Sequence, residues 1–213
     1  MPLTVHITDA GGISSTEALG RPAITGGRKR NEAYRQREHL TEDEVSRLME
    51  AARGNRWGAR DAAIIFTMYR HGLRVSEACA LDWSAIDFAQ KELHVRRAKL
   101  GKPANHPIRG DQLRALRRLH REAGAPGHGP VFVTERGTAF TRAGVAKLIL
   151  RAGEAAGFGY RVHPHMLRHA CGFALAKAGH DTRRLQDYLG HRSINSTVRY
   201  TELDGSKFSD FWR

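Results

Sequence analysis

The stretch His163-Pro164-His165-Met166-Leu167-Arg168-His169-Ala170-Cys171-Gly172 carries both a helix signal and a concentration of chemistry. Proline fits the first turn of a helix, where its missing N–H costs nothing. Leu167, Ala170, Ala174 and Ala178 then recur at helical spacing, which predicts a helix over 164–178 with one buried stripe. At about 100° per residue, His165 and Arg168 fall close together on a face away from that stripe. One helix therefore offers an imidazole beside a guanidinium. Arginine keeps its proton and matches phosphate oxygens with a planar fork. Histidine exchanges a proton near neutral pH. Taken alone, such a pair also describes an ordinary solvated helix face.

Working outward, the charge narrows the partners. Lys and Arg total 35 against 22 Asp and Glu in 213 residues, a formal net charge of +13. Such a field attracts polyanions, nucleic acid before anionic membrane. With 40% hydrophobic and 27% charged residues the chain is globular rather than fibrous or fully disordered. No apolar run approaches the roughly 18 residues of a membrane span, and a cytoplasmic, nucleoid-associated protein is expected. Cys79 and Cys171 both lie in apolar helical contexts, so two reduced core thiols are expected rather than a disulfide.

Residues 1–40 differ from the rest. They hold five glycines and the basic positions Arg28, Lys29, Arg30, Arg35 and Arg37. They read as a flexible basic arm able to lie on phosphates. Thr41-Glu42-Asp43-Glu44 is a capping-box signature and opens the first helix. Apolar spacing predicts a second helix over 57–69, with Gly72 as a stop, and a short third over 75–81. Leu93 and Val95 alternate with charged residues, as do His106 and Ile108. A β-hairpin over 91–109 follows, with Gly101 and Pro103 in its turn. A basic helix is expected at 111–123 and a short strand at Val131-Phe132-Val133. Helices follow at 141–156, 164–178, 181–189 and 194–203. The fold class is mostly α with a small antiparallel β-sheet (α+β).

Three further clusters carry chemistry. In Arg70-His71-Gly72-Leu73-Arg74-Val75-Ser76-Glu77, Arg74 sits just past a helix-ending glycine. There it stands beside backbone N–H donors that suit an anion, and Glu77 can orient it. Lys99 and Lys102 flank the hairpin turn, where a lysine can swing over a ligand. Leu189-Gly190-His191 ends a helix at a bend, and Tyr200 follows on the last helix. A tyrosine with a free pKa near 10 needs cations and a base to act as a nucleophile. No HExxH, paired CxxC, Walker loop or Gly-x-Ser-x-Gly elbow is present, so neither a metal nor any other cofactor is expected. His163, His165 and His169 are a weak zinc alternative. Two arginines, two histidines, a lysine and a late tyrosine together fit metal-free attack on a phosphodiester.

These motifs resemble the tyrosine recombinases, the phage-integrase family, over about residues 41–203. His71–Glu77 looks like the family's first-arginine box, His163–His169 like its second, and Leu189–His191 like its third. Tyr200 stands at the nucleophile spacing. Met166–Gly172, Gln186–Arg192 and the ending at Phe211-Trp212-Arg213 are most similar to the short recombinases that invert a fimbrial promoter segment. The resemblance implies Tyr200 as nucleophile, Arg74 and Arg168 as phosphate clamp and Lys99 as general acid. It further implies His165 as general base and His191 as a phosphate hydrogen-bond donor. Lys102 competes with Lys99 and otherwise joins the arm as a DNA contact. The implied reaction runs through a 3′-phosphotyrosyl link and needs no ATP. The implied partners are double-stranded DNA, a homotetramer on two sites and accessory DNA-bending proteins, with no membrane. The usual N-terminal helical clamp domain is not expected from forty arm residues. Residues 204–213, with Phe208, Phe211 and Trp212, form a tail that either docks on a neighbouring protomer or folds back on its own core. A type IB topoisomerase and a DNA-binding regulator without catalysis are the competing readings.

Overall fold

The computed structural model describes residues 38–97 and 103–202. Arg28, Lys29, Arg30, Arg35, Arg37, Lys99, Lys102, Phe208, Phe211 and Trp212 lie outside the described residues. The first helix, α1 (Glu42–Arg53), begins with the expected capping box. The Glu44 N–H donates to Thr41 Oγ1 at 3.2 Å, and the Thr41 N–H donates to the Glu44 carboxylate at 2.8 Å. Two donors that a helix start leaves orphaned are thus satisfied reciprocally.

Helix α2 (Gly58–His71) is buried on nearly every side. It packs against α1, against α4 (Gly110–Glu122) and against α6 (Pro164–Lys177), which makes it the axis of the domain. That explains why its apolar residues do not form one stripe: a helix wrapped by partners is apolar all round. Gly72 ends it at φ +56°, ψ +36°, a left-handed conformation that glycine adopts without strain. The chain then turns into α3 (Val75–Cys79), a single turn.

The sheet has three antiparallel strands in the order β1 (Ile86–Asp87), β2 (Glu92–Val95), β3 (Ala104–Pro107). Leu93 faces Ile86 on one side and His106 on the other, and Val95 faces Ala104. The alternation puts Leu93, Val95, His106 and Ile108 inward. Strand β1 is an addition to the expected hairpin; two residues are too few to show a period of two. Val131-Phe132-Val133 is not a strand. Val131 and Phe132 are buried, but only isolated bridges form around them, Asp82 with Pro130 and Val133 with Ala139. The chain bends at Val131 and Phe132 themselves, so no ladder extends.

Helices α5 (Arg142–Ala155), α6, α7 (Thr182–Leu189) and α8 (Asn195–Glu202) complete the domain. Proline stands at the start of α6 as its sequence predicts. The expected stripe holds only for its first half: Leu167 and Ala170 are buried, Ala174 is half-buried and Ala178 is exposed. Beyond Ala170 the buried face passes to Cys171 and Ala176, which pack with Leu185, Leu189 and Tyr200 in a second, smaller core. Helix α6 therefore joins the main core to the layer that carries the tyrosine. Among the described residues no helix is long and apolar enough to cross a membrane. Cys79 and Cys171 are both free thiols.

Candidate functional site

The site lies where the α2–α3 turn, the middle of α6 and the α7–α8 turn meet. Arg74 caps α3 in an extended conformation, and Glu77 accepts both its backbone N–H (2.9 Å) and its guanidinium (2.7 Å). The backbone donor expected to face an anion is therefore engaged by Glu77. The Arg74 side chain stays about a quarter exposed (24%), whereas that of Glu77 is closed off.

Arg168 departs from its expected setting. It is 1% exposed and among the largest fully buried side chains, not part of a solvated helix face. Its guanidinium donates to the carbonyls of Gly72 and Leu189, the latter at 2.6 Å. These carbonyls end α2 and α7, where the helix dipoles are negative, and that arrangement makes the buried cation tolerable. Burial, with Arg74 and Arg97 as neighbouring cations, brings its pKa down to about 10. Such a cluster is short of negative charge.

Tyr200 is 1% exposed. Its hydroxyl meets Nδ1 of His169 at 2.9 Å, and its ring stands edge-on to Phe173. A Cβ on Gly172 would come within 2.7 Å of the tyrosine ring, so only glycine leaves room for it there. Burial pushes the phenol up to about 12, while Arg168 and Arg199 pull it down. His191 lies at the bend after Gly190, as expected, and its Nδ1 meets the Thr197 hydroxyl at 2.8 Å. Burial first, then repulsion from Arg168, Arg74, Arg97 and His165, holds its pKa near about 3. His191 is thus neutral and lies within the field of the whole basic cluster. His165 is exposed at the start of α6, its ring edge-on to that of His169 at 4.5 Å.

Five of the six expected site residues, Arg74, His165, Arg168, His191 and Tyr200, thus come together within one chain. The sixth, Lys99, falls on 98–102, outside the described residues. The imidazole touching the tyrosine hydroxyl is His169 rather than His165. Two site residues were not singled out for this chemistry. His169 lies one turn after His165, within the stretch quoted first. Arg97 continues the inward period of Leu93 and Val95, a signal present in the strand alternation. Among the described residues no group of three or more His, Cys, Asp or Glu is arranged to hold a metal ion.

Residues 38–207 match the phage integrase family. The type 1 fimbriae regulatory protein FimE of Escherichia coli strain K12 is 41% identical over 180 residues, 83% of this chain and 91% of FimE. The crystal structure of XerA recombinase superposes with a TM-score of 0.71 at 30% identity, covering 82% of this chain and 63% of XerA. The chain therefore spans less than two thirds of that solved recombinase. XerH site-specific recombinase, solved with its difH substrate before cleavage, shares the fold with a TM-score of 0.67 at 22% identity, covering 83% of this chain and 53% of XerH. A family match over most of the chain, together with a relative this similar along nearly its whole length, makes the chain a member of the phage integrase family, the tyrosine recombinases of site-specific DNA recombination.

Proposed function

We propose that this chain cuts and rejoins duplex DNA at the site described, with Tyr200 as nucleophile. The observation that carries the reading is the meeting of Arg74, Arg168, His191 and Tyr200 in a cluster with more buried positive than negative charge. A phosphodiester supplies the missing charge. Arg74 and Arg168 neutralise the charge that grows on its nonbridging oxygens, and His191 donates a hydrogen bond to one of them. The bond from the Tyr200 oxygen to phosphorus forms as the bond to the 5′ oxygen breaks. The phenol proton leaves to the histidine pair, with His169 in contact with the hydroxyl and His165 exposed beside it. Lys99 protonates the departing 5′ oxygen. A 5′-hydroxyl from a partner strand then reverses the step, so bond energy is conserved in the phosphotyrosyl link.

The basic arm (Arg28, Lys29, Arg30, Arg35, Arg37) and Lys102 add phosphate contacts, consistent with the net charge of +13. Inversion of a segment between inverted sites, by four protomers on two sites aided by DNA-bending proteins, is the outcome the similarity to FimE favours. The test begins by selecting the binding site from a random-sequence pool. Two copies are then placed in inverted orientation on a plasmid. Restriction digestion should reveal the inverted segment. Relaxed topoisomers alone would indicate a topoisomerase, and binding without any product would indicate a regulator.

A further inference from the structure

Arg97 lies just beyond β2 with its side chain wholly closed to solvent. Its guanidinium donates to the second oxygen of Glu77 (3.0 Å), to the His71 carbonyl (3.1 Å) and to the Tyr188 carbonyl. The Gly72 carbonyl stands 3.5 Å away. Gly190 presses on its stem: a Cβ there would come within 2.6 Å of the Arg97 Cγ. Arg97 and Arg168 thus bridge the same two turns in parallel. One spans His71 to Tyr188 and the other Gly72 to Leu189.

The charges explain why a second guanidinium is needed. Among the described residues, Glu77 is the carboxylate acting on both Arg97 and Arg168. Glu77 gives Oε1 to the Arg74 guanidinium, and Oε2 to Arg97 and to the Arg74 backbone N–H. Without Arg97, Oε2 loses its guanidinium partner, and the carboxylate can turn to take the Arg74 guanidinium with both oxygens, a fork-to-fork pairing stronger than one contact. That would turn the Arg74 guanidinium away from an incoming phosphate and cancel its charge.

We propose that Arg97 is a positioning residue for strand cleavage: it occupies one oxygen of Glu77 so that Arg74 stays turned toward the phosphate, and it fixes the α2–α3 turn against the α7–α8 turn. This rests on the strand-cleavage reading above. A misplaced clamp at the reacting centre costs on the order of 10²-fold. The test measures the rate of covalent-complex formation on a nicked duplex carrying the selected site, alongside DNA affinity and Tm. R97Q should cleave about 10²-fold slower at near-parental affinity. Adding E77Q to R97Q removes the carboxylate that captures Arg74, and should recover about tenfold of the lost rate. A purely structural role gives no such recovery. Parental cleavage by R97Q, or no recovery in R97Q/E77Q, overturns the proposal. Should R97Q not fold, R97K stands in for it. Lysine holds Glu77 but cannot bridge the carbonyls, so cleavage should fall about tenfold at unchanged affinity, and parental cleavage by R97K overturns the proposal. A parental protein that forms no adduct refutes instead the strand-cleavage reading on which this one stands.

Discussion

The two halves of the site are built differently. The half proposed to bind the phosphate is a frame: Arg168 and Arg97 tie the ends of α2 and α7 together through backbone carbonyls, with Glu77 between Arg97 and Arg74. The half that carries Tyr200 is a single eight-residue helix, α8. It is held by a hydroxyl–imidazole contact at Tyr200, a Thr182–Thr201 hydroxyl pair, the His191–Thr197 bond and a half-buried Arg199–Glu38 ion pair. The frame buries charges that only an interlocked geometry can tolerate. Beyond the packing of Tyr200 in the smaller core, the helix relies on contacts that each contribute about 1 kcal/mol. The comparison teaches that the arginines proposed to meet the phosphate are already fixed without DNA, whereas the tyrosine is held in a protected and less heavily secured position.

The largest expected effect falls on the nucleophile half. Tyr200→Phe should abolish the covalent adduct while DNA affinity stays near parental, read by gel shift and by denaturing gel in parallel. Next come the two arginines, which separate the halves of the argument. Arg74→Ala and Arg168→Ala should each slow cleavage by about 10²-fold or more. Only Arg168→Ala should also lower Tm clearly, because it strands the Gly72 and Leu189 carbonyls at about 1–3 kcal/mol apiece. Equal Tm losses for both variants would break the distinction between frame and clamp.

Acid should act on the frame. His71 and His106 lie against Arg97 and Gln112, and burial lowers their pKa values to about 3 and about 2. The folded protein thus binds fewer protons than the unfolded chain, whose histidines titrate near about 6.5. The stability they contribute is present above that value and is lost as pH falls toward 3. At pH 5 the loss reaches up to about 2 kcal/mol per histidine. Denaturant melts at pH 7.5 and pH 5 measure it, and a flat profile would contradict the burial of two neutral imidazoles.

Smaller effects test the storage of the tyrosine. Gly172→Ala drives a methyl into the Tyr200 ring and should cost about 1–3 kcal/mol. Adduct formation should slow more than DNA binding weakens. Removing the half-buried ion pair with Arg199→Ala should change stability by about 1 kcal/mol or less. A larger loss would show that α8 is better secured than its contacts indicate.

Much of this was legible in the chain. The box Thr41–Glu44, the stops at Gly72 and Gly190 and the proline opening α6 are local signals, and each appears where its chemistry requires. Signals that depend on tertiary context were not. β1 is too short to show a period. Val131 and Phe132 are apolar because they are buried, not because they form a ladder. Arg168 looks exposed by helical phase, yet the carbonyl ends of two distant helices close over it. Arg97 was marked by its inward phase after Leu93 and Val95, but a guanidinium on that face reads as a pattern break until Glu77 and Tyr188 are seen around it. His169 was hidden by its neighbours: only the fold brings the hydroxyl of Tyr200 to its ring.

The central claim is that Tyr200 makes the covalent bond to DNA. The most direct measurement traps the protein on a nicked duplex carrying its selected site, digests the adduct and sequences the nucleotide-bearing peptide by mass spectrometry. The account predicts a 3′-phosphonucleotide on Tyr200 and on no other residue. A modified residue elsewhere, or full DNA binding with no adduct at all, would contradict it.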